Sequence, residues 1–260
     1  MGVALEIIAG CIPVVEASVG GRPARLLVDT GAGLEVFSPR LADALGLERQ
    51  GTWRGERMSR EVLTVELVED VELSLGGVTH RQDRCGVHDV FDRLPPALGA
   101  IDGALSLRFL GRQPFTLDYP GARLTWDLPA AGSDAPLDVE VERGLATSAF
   151  TAVTLDGRIE GRFLVDTGAS LSVVDLPTMA RLGVRGGQES AGTNETGHPF
   201  RRVVAPIRAL AVGGAVQEEP SLCFEAIRHD GALGGDFLRG FAVGLDVAAG
   251  AMRLAAPAGG

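Results

Sequence analysis

The nine-residue string RLLVDTGAG, Arg25 to Gly33, returns almost letter for letter as RFLVDTGAS, Arg162 to Ser170. The two aspartates, Asp29 and Asp166, lie 137 positions apart. The same spacing pairs Gly20 with Gly157, Gly46 with Gly183, Gly55 with Gly192 and Gly76-Gly77 with Gly213-Gly214. Further on, DGALSLRFL (Asp102 to Leu110) returns as DGALGGDFL (Asp230 to Leu238) at a spacing of 128. The first copy therefore carries nine extra residues between Gly77 and Asp102, placed in the loop around HDVFDRLPP. Self-similarity over that length requires two copies of one structural unit. The predicted division is a first unit over 1–128, a linker over 129–138 and a second unit over 139–260; the linker is rich in Pro, Gly, Ser and Ala and has little apolar periodicity.

Within a copy the pattern is that of short strands. IPVVEASV turns at Gly20-Gly21 and returns as ARLLVD, and VLTVELVEDVELSLGG alternates apolar and polar residues before another Gly-Gly turn. SPRLADALGL predicts a short helix, with Ser38 as N-cap, Pro39 in the first turn and Gly46 as the stop; its counterpart is LPTMARLGV. FTLDYPGARLTW and FAVGLDVAAGAMRL predict closing hairpins. The fold class is mostly β, with one or two short helices per copy. Thirty-six glycines and only 5% aromatic residues suit many tight turns rather than long helices.

The chemistry is concentrated in the repeated string. An apolar run, Leu26-Leu27-Val28 or Phe163-Leu164-Val165, leads directly into an aspartate, and a buried strand has little reason to end on a bare carboxylate. If the copies pack about a pseudo-twofold axis near these turns, Asp29 and Asp166 face each other. Two close carboxylates cannot both ionise easily, so they share a proton and titrate as a pair. One then acts as base toward a water between them while the other protonates the carbonyl under attack. This is peptide hydrolysis without a covalent intermediate, a metal or a cofactor.

LVDTGA followed by GALS in the first copy, and VDTGASLSVVD followed by DGALGGDFL in the second, resembles the retropepsin-like branch of the aspartic proteases, as two retropepsin-sized units fused in one chain. The resemblance implies a pepsin/retropepsin-like acid protease fold, an aspartic endopeptidase acting on a peptide or protein substrate, and activity as a monomer. The catalytic pair would be Asp29 and Asp166. Thr30 and Thr167 would hydrogen-bond across the axis, and Gly31 and Gly168 would let backbone amides approach the carboxylates. Flap hairpins would form around Trp53, Arg54 and Gly55 and around Ala191, Gly192 and Thr193. The flap tyrosine of pepsins is missing, since the only tyrosine is Tyr119, and Trp53 is the residue that would do similar covering work.

Three departures bear on function. Ala32 and Ala169 stand where pepsins usually have Ser or Thr, which removes a side-chain donor to the carboxylate and predicts activity at weakly acidic to neutral pH. Glu35 occupies the position of Ser172, with a surface-pointing strand residue as the expected outcome. Turned inward, it would add a third carboxylate and raise the dyad's titration further. Ser106 replaces the small Gly234. Glu35 or an unsuitable flap gives the rival reading its ground: a peptide-binding or regulatory module with weak catalysis.

Several other functions are excluded. There is no Lys anywhere, which removes P-loop and Schiff-base chemistry. A net charge of −10 opposes nucleic-acid binding. His80, His88, His198 and His229 lack metal-ligand spacing, so no metal site is expected. Arg54, Arg57 and Arg60 at the first flap are expected on a solvated face, with a local preference for acidic substrate side chains as the functional alternative. Cys11, Cys85 and Cys223 read as reduced, buried thiols and no apolar run is long enough to span a bilayer, so the expectation is a cytoplasmic protein, exported only if a leader has been removed.

Overall fold

The computed structural model of the chain describes residues 2–129 and 135–257, of which strands are the main component at 51% against 12% helix. The repeat begins with a hairpin. Strands Ile12–Val19 and Arg22–Val28 pair antiparallel, Val14 opposite Leu27 and Val19 opposite Arg22. The turn between them needs Gly20 and Gly21 because both have positive φ, 54° and 80°. Strand Arg22–Val28 then runs parallel to Gly103–Leu105, and Val36–Phe37 pairs antiparallel with the other edge of that short strand. The first sheet runs in the order Glu6–Ile8, Ile12–Val19, Arg22–Val28, Gly103–Leu105, Val36–Phe37, Val78–Val87, Val62–Leu75, Thr52–Glu56.

The second half repeats that order strand for strand: Leu137–Arg143, Thr147–Leu155, Ile159–Val165, Gly231–Leu233, Val173–Asp175, Ser221–Glu225, Pro199–Pro206, Gln188–Thr193. Its sheet then continues. Leu137 and Asp138, at the end of the expected linker, pair with Met252 and Ala251. Beyond Ala251–Ala255 follow Ala242–Asp246, Phe115–Asp118, Arg123–Thr125 and Gly2–Ala4. The closing hairpins of both halves thus share one sheet beneath the two hairpin layers, with Phe115, Leu117, Leu124, Val243, Leu245 and Met252 buried in it. Residues 130–134 of the expected linker lie outside the described residues.

One continuous apolar cluster crosses both halves, from Val15, Leu26 and Val28 through Phe109 and Phe115 to Phe163, Val165 and Leu245. Helix Pro39–Ala44 starts where the sequence predicts, with the Leu41 amide donating to Ser38 Oγ at 3.2 Å. Its counterpart Leu176–Leu182 ends on Gly183 in the left-handed region. Two four-residue helices, Leu107–Leu110 and Gly235–Leu238, follow the second motif of each copy. Among the described residues no helix is long and apolar enough to cross a membrane. The nine extra residues of the first half lie where expected, in two 3-10 turns, Asp89–Arg93 and Pro96–Leu98.

Candidate active site

Each repeated aspartate sits one residue beyond a central strand that is locked on both sides. The Asp29 amide donates to the Leu105 carbonyl at 2.9 Å and the Asp166 amide to Leu233 at 3.0 Å, extending the parallel pairing of each strand by one bond. The chain then turns tightly. Asp29 Oδ1 accepts from the Gly31 and Ala32 amides at 3.0 and 2.9 Å, and Asp166 Oδ1 from the Gly168 and Ala169 amides, both at 3.1 Å. Backbone donors thus hold each carboxylate where Ala32 and Ala169 offer no hydroxyl.

The two turns meet. A methyl group on Gly31 would collide with the Asp166 carboxyl, and one on Gly168 with that of Asp29. Only glycine leaves room for each carboxyl to reach the opposite turn. Below them the threonines interlock: the Thr30 amide donates to Thr167 Oγ1 at 3.0 Å and the Thr167 amide to Thr30 Oγ1 at 3.1 Å. Each hydroxyl passes its proton on across the axis, Thr30 to the Val165 carbonyl and Thr167 to Val28, both at 2.6 Å. Both side chains are fully buried, so all four bonds lie out of reach of water.

The electrostatics follow from this packing. Burial pushes Asp166 up first and the neighbouring Asp29 charge second; the Ala169 and Gly168 amides and Arg57 pull against them, leaving the group at about 7. Burial also raises Asp29, opposed by the Ala32 and Gly31 amides, by Arg57 and by a hydrogen bond from Asp166. Both carboxyls are half-buried and in contact, and each is raised above the ordinary aspartate range.

Two hairpins reach over this floor. The first pairs Thr52–Glu56 with Val62–Leu75 and turns at residues 57–61; the second pairs Gln188–Thr193 with Pro199–Pro206 and turns at 194–198. The tips are clasped. Glu61 accepts from Asn194 Nδ2 at 2.9 Å and from Thr196 Oγ1 at 2.5 Å. Arg57 bridges Glu61 at 3.3 Å and Glu195 at 2.6 Å. Burial acts to raise the Glu61 carboxyl, but the bonds from Thr196 and Asn194 and the Arg57 charge outweigh it and hold the group below its usual range.

A family model described as aspartyl protease matches residues 15–109 and again residues 151–237. The chain belongs to the aspartyl protease family. It does so as two retropepsin-like units, and its function is of the protease type. No curated protein matches it.

The expected flap residues of this aspartyl protease lie just short of the tips. Trp53, Arg54 and Gly55 are on the outgoing strand of the first hairpin, and Ala191, Gly192 and Thr193 on that of the second. Trp53 packs with Leu34, Val65 and Leu67, all of its own half. The residues that bridge the hairpins, Arg57, Glu61, Asn194, Glu195 and Thr196, were not singled out as a set in the sequence. The 137-residue spacing that aligns 57–61 with 194–198 is the signal that finds them. Arg54 and Arg60 are exposed, as expected, but two of the three arginines are tied down: Arg57 is paired, and Arg60 donates twice to the Ile227 carbonyl, at 2.8 and 3.1 Å.

Glu35 also departs from expectation. It points inward and is fully buried, with Oε1 accepting from Ser106 Oγ at 2.6 Å, the Ser106 amide at 3.3 Å and the Phe109 amide at 3.0 Å. In the second half Asp236 Oδ1 accepts from Ser172 Oγ at 2.6 Å, the Ser172 amide at 2.8 Å and the Phe237 amide at 2.9 Å. The carboxylate and the serine have traded places: in the first half the carboxylate precedes the short strand Val36–Phe37 and the serine caps the helix Leu107–Leu110, whereas in the second the serine precedes Val173–Asp175 and the carboxylate lies in the helix Gly235–Leu238. Glu35 and Ser106 in one half do what Asp236 and Ser172 do in the other, so the two apparent departures compensate each other. Glu35 is absent from the groups that shift the dyad.

Proposed function

We propose that this aspartyl protease is an endopeptidase in which Asp29 and Asp166 share one proton and activate a water. The observation that carries the reading is the mutual approach of the two carboxyls, each over the other's glycine turn. In the working state one carboxyl is ionised. It takes a proton from the water whose oxygen attacks the peptide carbonyl carbon, while the protonated partner gives its proton to the carbonyl oxygen. The tetrahedral diol then collapses: the ionised carboxyl takes a proton from one diol hydroxyl as the C=O re-forms and the C–N bond breaks, the protonated carboxyl gives its proton to the leaving nitrogen, and the pair again holds one proton. The interlocked Thr30 and Thr167 fix the carboxyls in place throughout, which limits reorganisation along the reaction. The substrate would lie extended between the halves, its backbone pairing with the hairpin strands.

The single-proton state bounds the pH range. Activity falls in strong acid, where both carboxyls are protonated, and falls again above about 7, where both ionise. The rival reading, a weakly catalytic binding module, loses one of its grounds because Glu35 is committed to Ser106 and Phe109. The test is cleavage of a denatured protein across pH 3 to 8, with and without pepstatin. Asp29→Asn and Asp166→Asn should each lower the rate by roughly 10³-fold or more, with the wild-type maximum in weak acid. Equal cleavage by wild type and either variant, or a maximum near pH 2, would refute the proposal.

A further inference from the structure

Strand period places Leu27 on the same face as Asp29, and Leu164 on the same face as Asp166, two residues away in each case. Each half therefore has an apolar surface beside its aspartate. In the first half Leu27 packs with Val14 and Ile101, and Phe91, Leu94 and Leu98 from the nine-residue insertion close over them. The second half has no such insertion. Its equivalent surface is made by Phe150, Leu164 and Ala232, paired across adjacent strands, and the side chain packed on it is Met58 from the tip of the first hairpin.

Met58 is held there by its surroundings. Its carbonyl accepts from the Arg228 amide at 2.9 Å, Arg60 beside it grips the Ile227 carbonyl, and Arg228 bridges Glu56 at 3.3 Å. The neighbouring Ser59 hydroxyl is buried without a partner, so this closed tip leaves one hydrogen bond unmade. A cover on a turn, joined to its seat by a few polar bonds and one flexible thioether, is far easier to lift than an insertion built into the sheet.

We infer that Met58 stands in for a substrate side chain and sets the specificity of the cleft. The pocket of Phe150, Leu164 and Ala232 accepts one apolar side chain without a branch at Cβ beside the scissile bond, and binding exchanges Met58 for it. This rests on the endopeptidase reading. Discrimination is one-sided, because the matching surface of the first half is already closed. The rim adds no selection by charge: the Arg162 guanidinium, 3.5 Å from the Phe150 ring centroid, is paired with Glu140 and Glu142, and Arg228 is paired with Glu56.

The experiment has two arms. A peptide series varying the residues on either side of the scissile bond is cleaved by wild type, Met58→Ala and Met58→Leu. Met58→Ala should lower KM on the order of ten-fold for peptides with Met or Leu at one flanking position, with kcat little changed, and Met58→Leu should behave as wild type. Separately, the Met58 methyl resonance is followed in full-length Asp29→Asn protein as the Met- or Leu-bearing peptides are added, and it should move when they bind. An unchanged KM for Met58→Ala, or a methyl that stays put while the peptide shifts the Asp-Thr-Gly amides, overturns the inference. Absence of cleavage by wild type would count against the endopeptidase reading alone, since the methyl arm still decides whether a bound peptide displaces Met58.

Discussion

The first half covers the apolar face beside its aspartate with nine residues of its own, whereas the second half has that face covered by a turn from the opposite unit. At the floor of the cleft, by contrast, the halves cannot be told apart: the same turn, the same amide donors, and threonine bonds equal within 0.1 Å. The contrast separates two kinds of position. Where a residue's partner is its own duplicate across the axis, a change on one side spoils a contact for both, as in an isologous interface. Where its partners lie within one half, it can drift if a neighbour compensates, and Glu35 with Ser106 against Asp236 with Ser172 is such a drift.

The threonines offer the sharpest way to test the symmetric side of this comparison. Thr30→Val and Thr167→Val each leave a buried amide and a buried carbonyl unpaired, and each should cost about 3 kcal/mol in denaturant unfolding. The two costs should agree within about 0.5 kcal/mol, because the bonds they remove are equivalent. A large disparity would mean that the floor is not shared equally.

A smaller, unequal pair of effects probes the drifted side. Glu35 is fully buried and Asp236 half-buried, so donors stripped of Asp236 can turn to water while those stripped of Glu35 cannot. Glu35→Ala should cost about 2 kcal/mol and Asp236→Ala about 1 kcal/mol. The Glu35 loss is moderated because its Oε2 has no partner to lose. Transplanting the second-half arrangement, Glu35→Ser with Ser106→Gly and Arg108→Asp, should recover most of it. No recovery would show that the exchange is not a true equivalence.

The division between legible and illegible features follows the same line. The repeat spacing and alternating strands contain the β architecture and the pairing of Asp29 with Asp166, because a duplication announces which residues share a place. Ser38, Pro39 and Gly46 mark a helix by local chemistry alone. Glu35 reads as a surface residue because its neighbours in sequence cannot reveal that its partner serine stands at position 106, seventy-one residues away. The ties of Arg60 and Met58 have no signal in the sequence because their seats, Ile227 and the Phe150 surface, belong to the other half. Contacts between unlike residues at long range leave no periodic trace.

The central claim is that two carboxyls share one proton, and a carboxyl-carbon NMR titration of the two aspartates tests it most directly. Carboxyls raised by folding bind a proton more tightly in the native state, so their contribution to stability is greatest in acid and declines from about pH 4 to about pH 7. In the folded protein the Asp29 and Asp166 resonances should report two well-separated steps, with the last proton leaving near pH 7, and either Asp→Asn change should collapse them to one. Two independent titrations near the ordinary aspartate value, unaltered by substitution of the partner, would contradict the account.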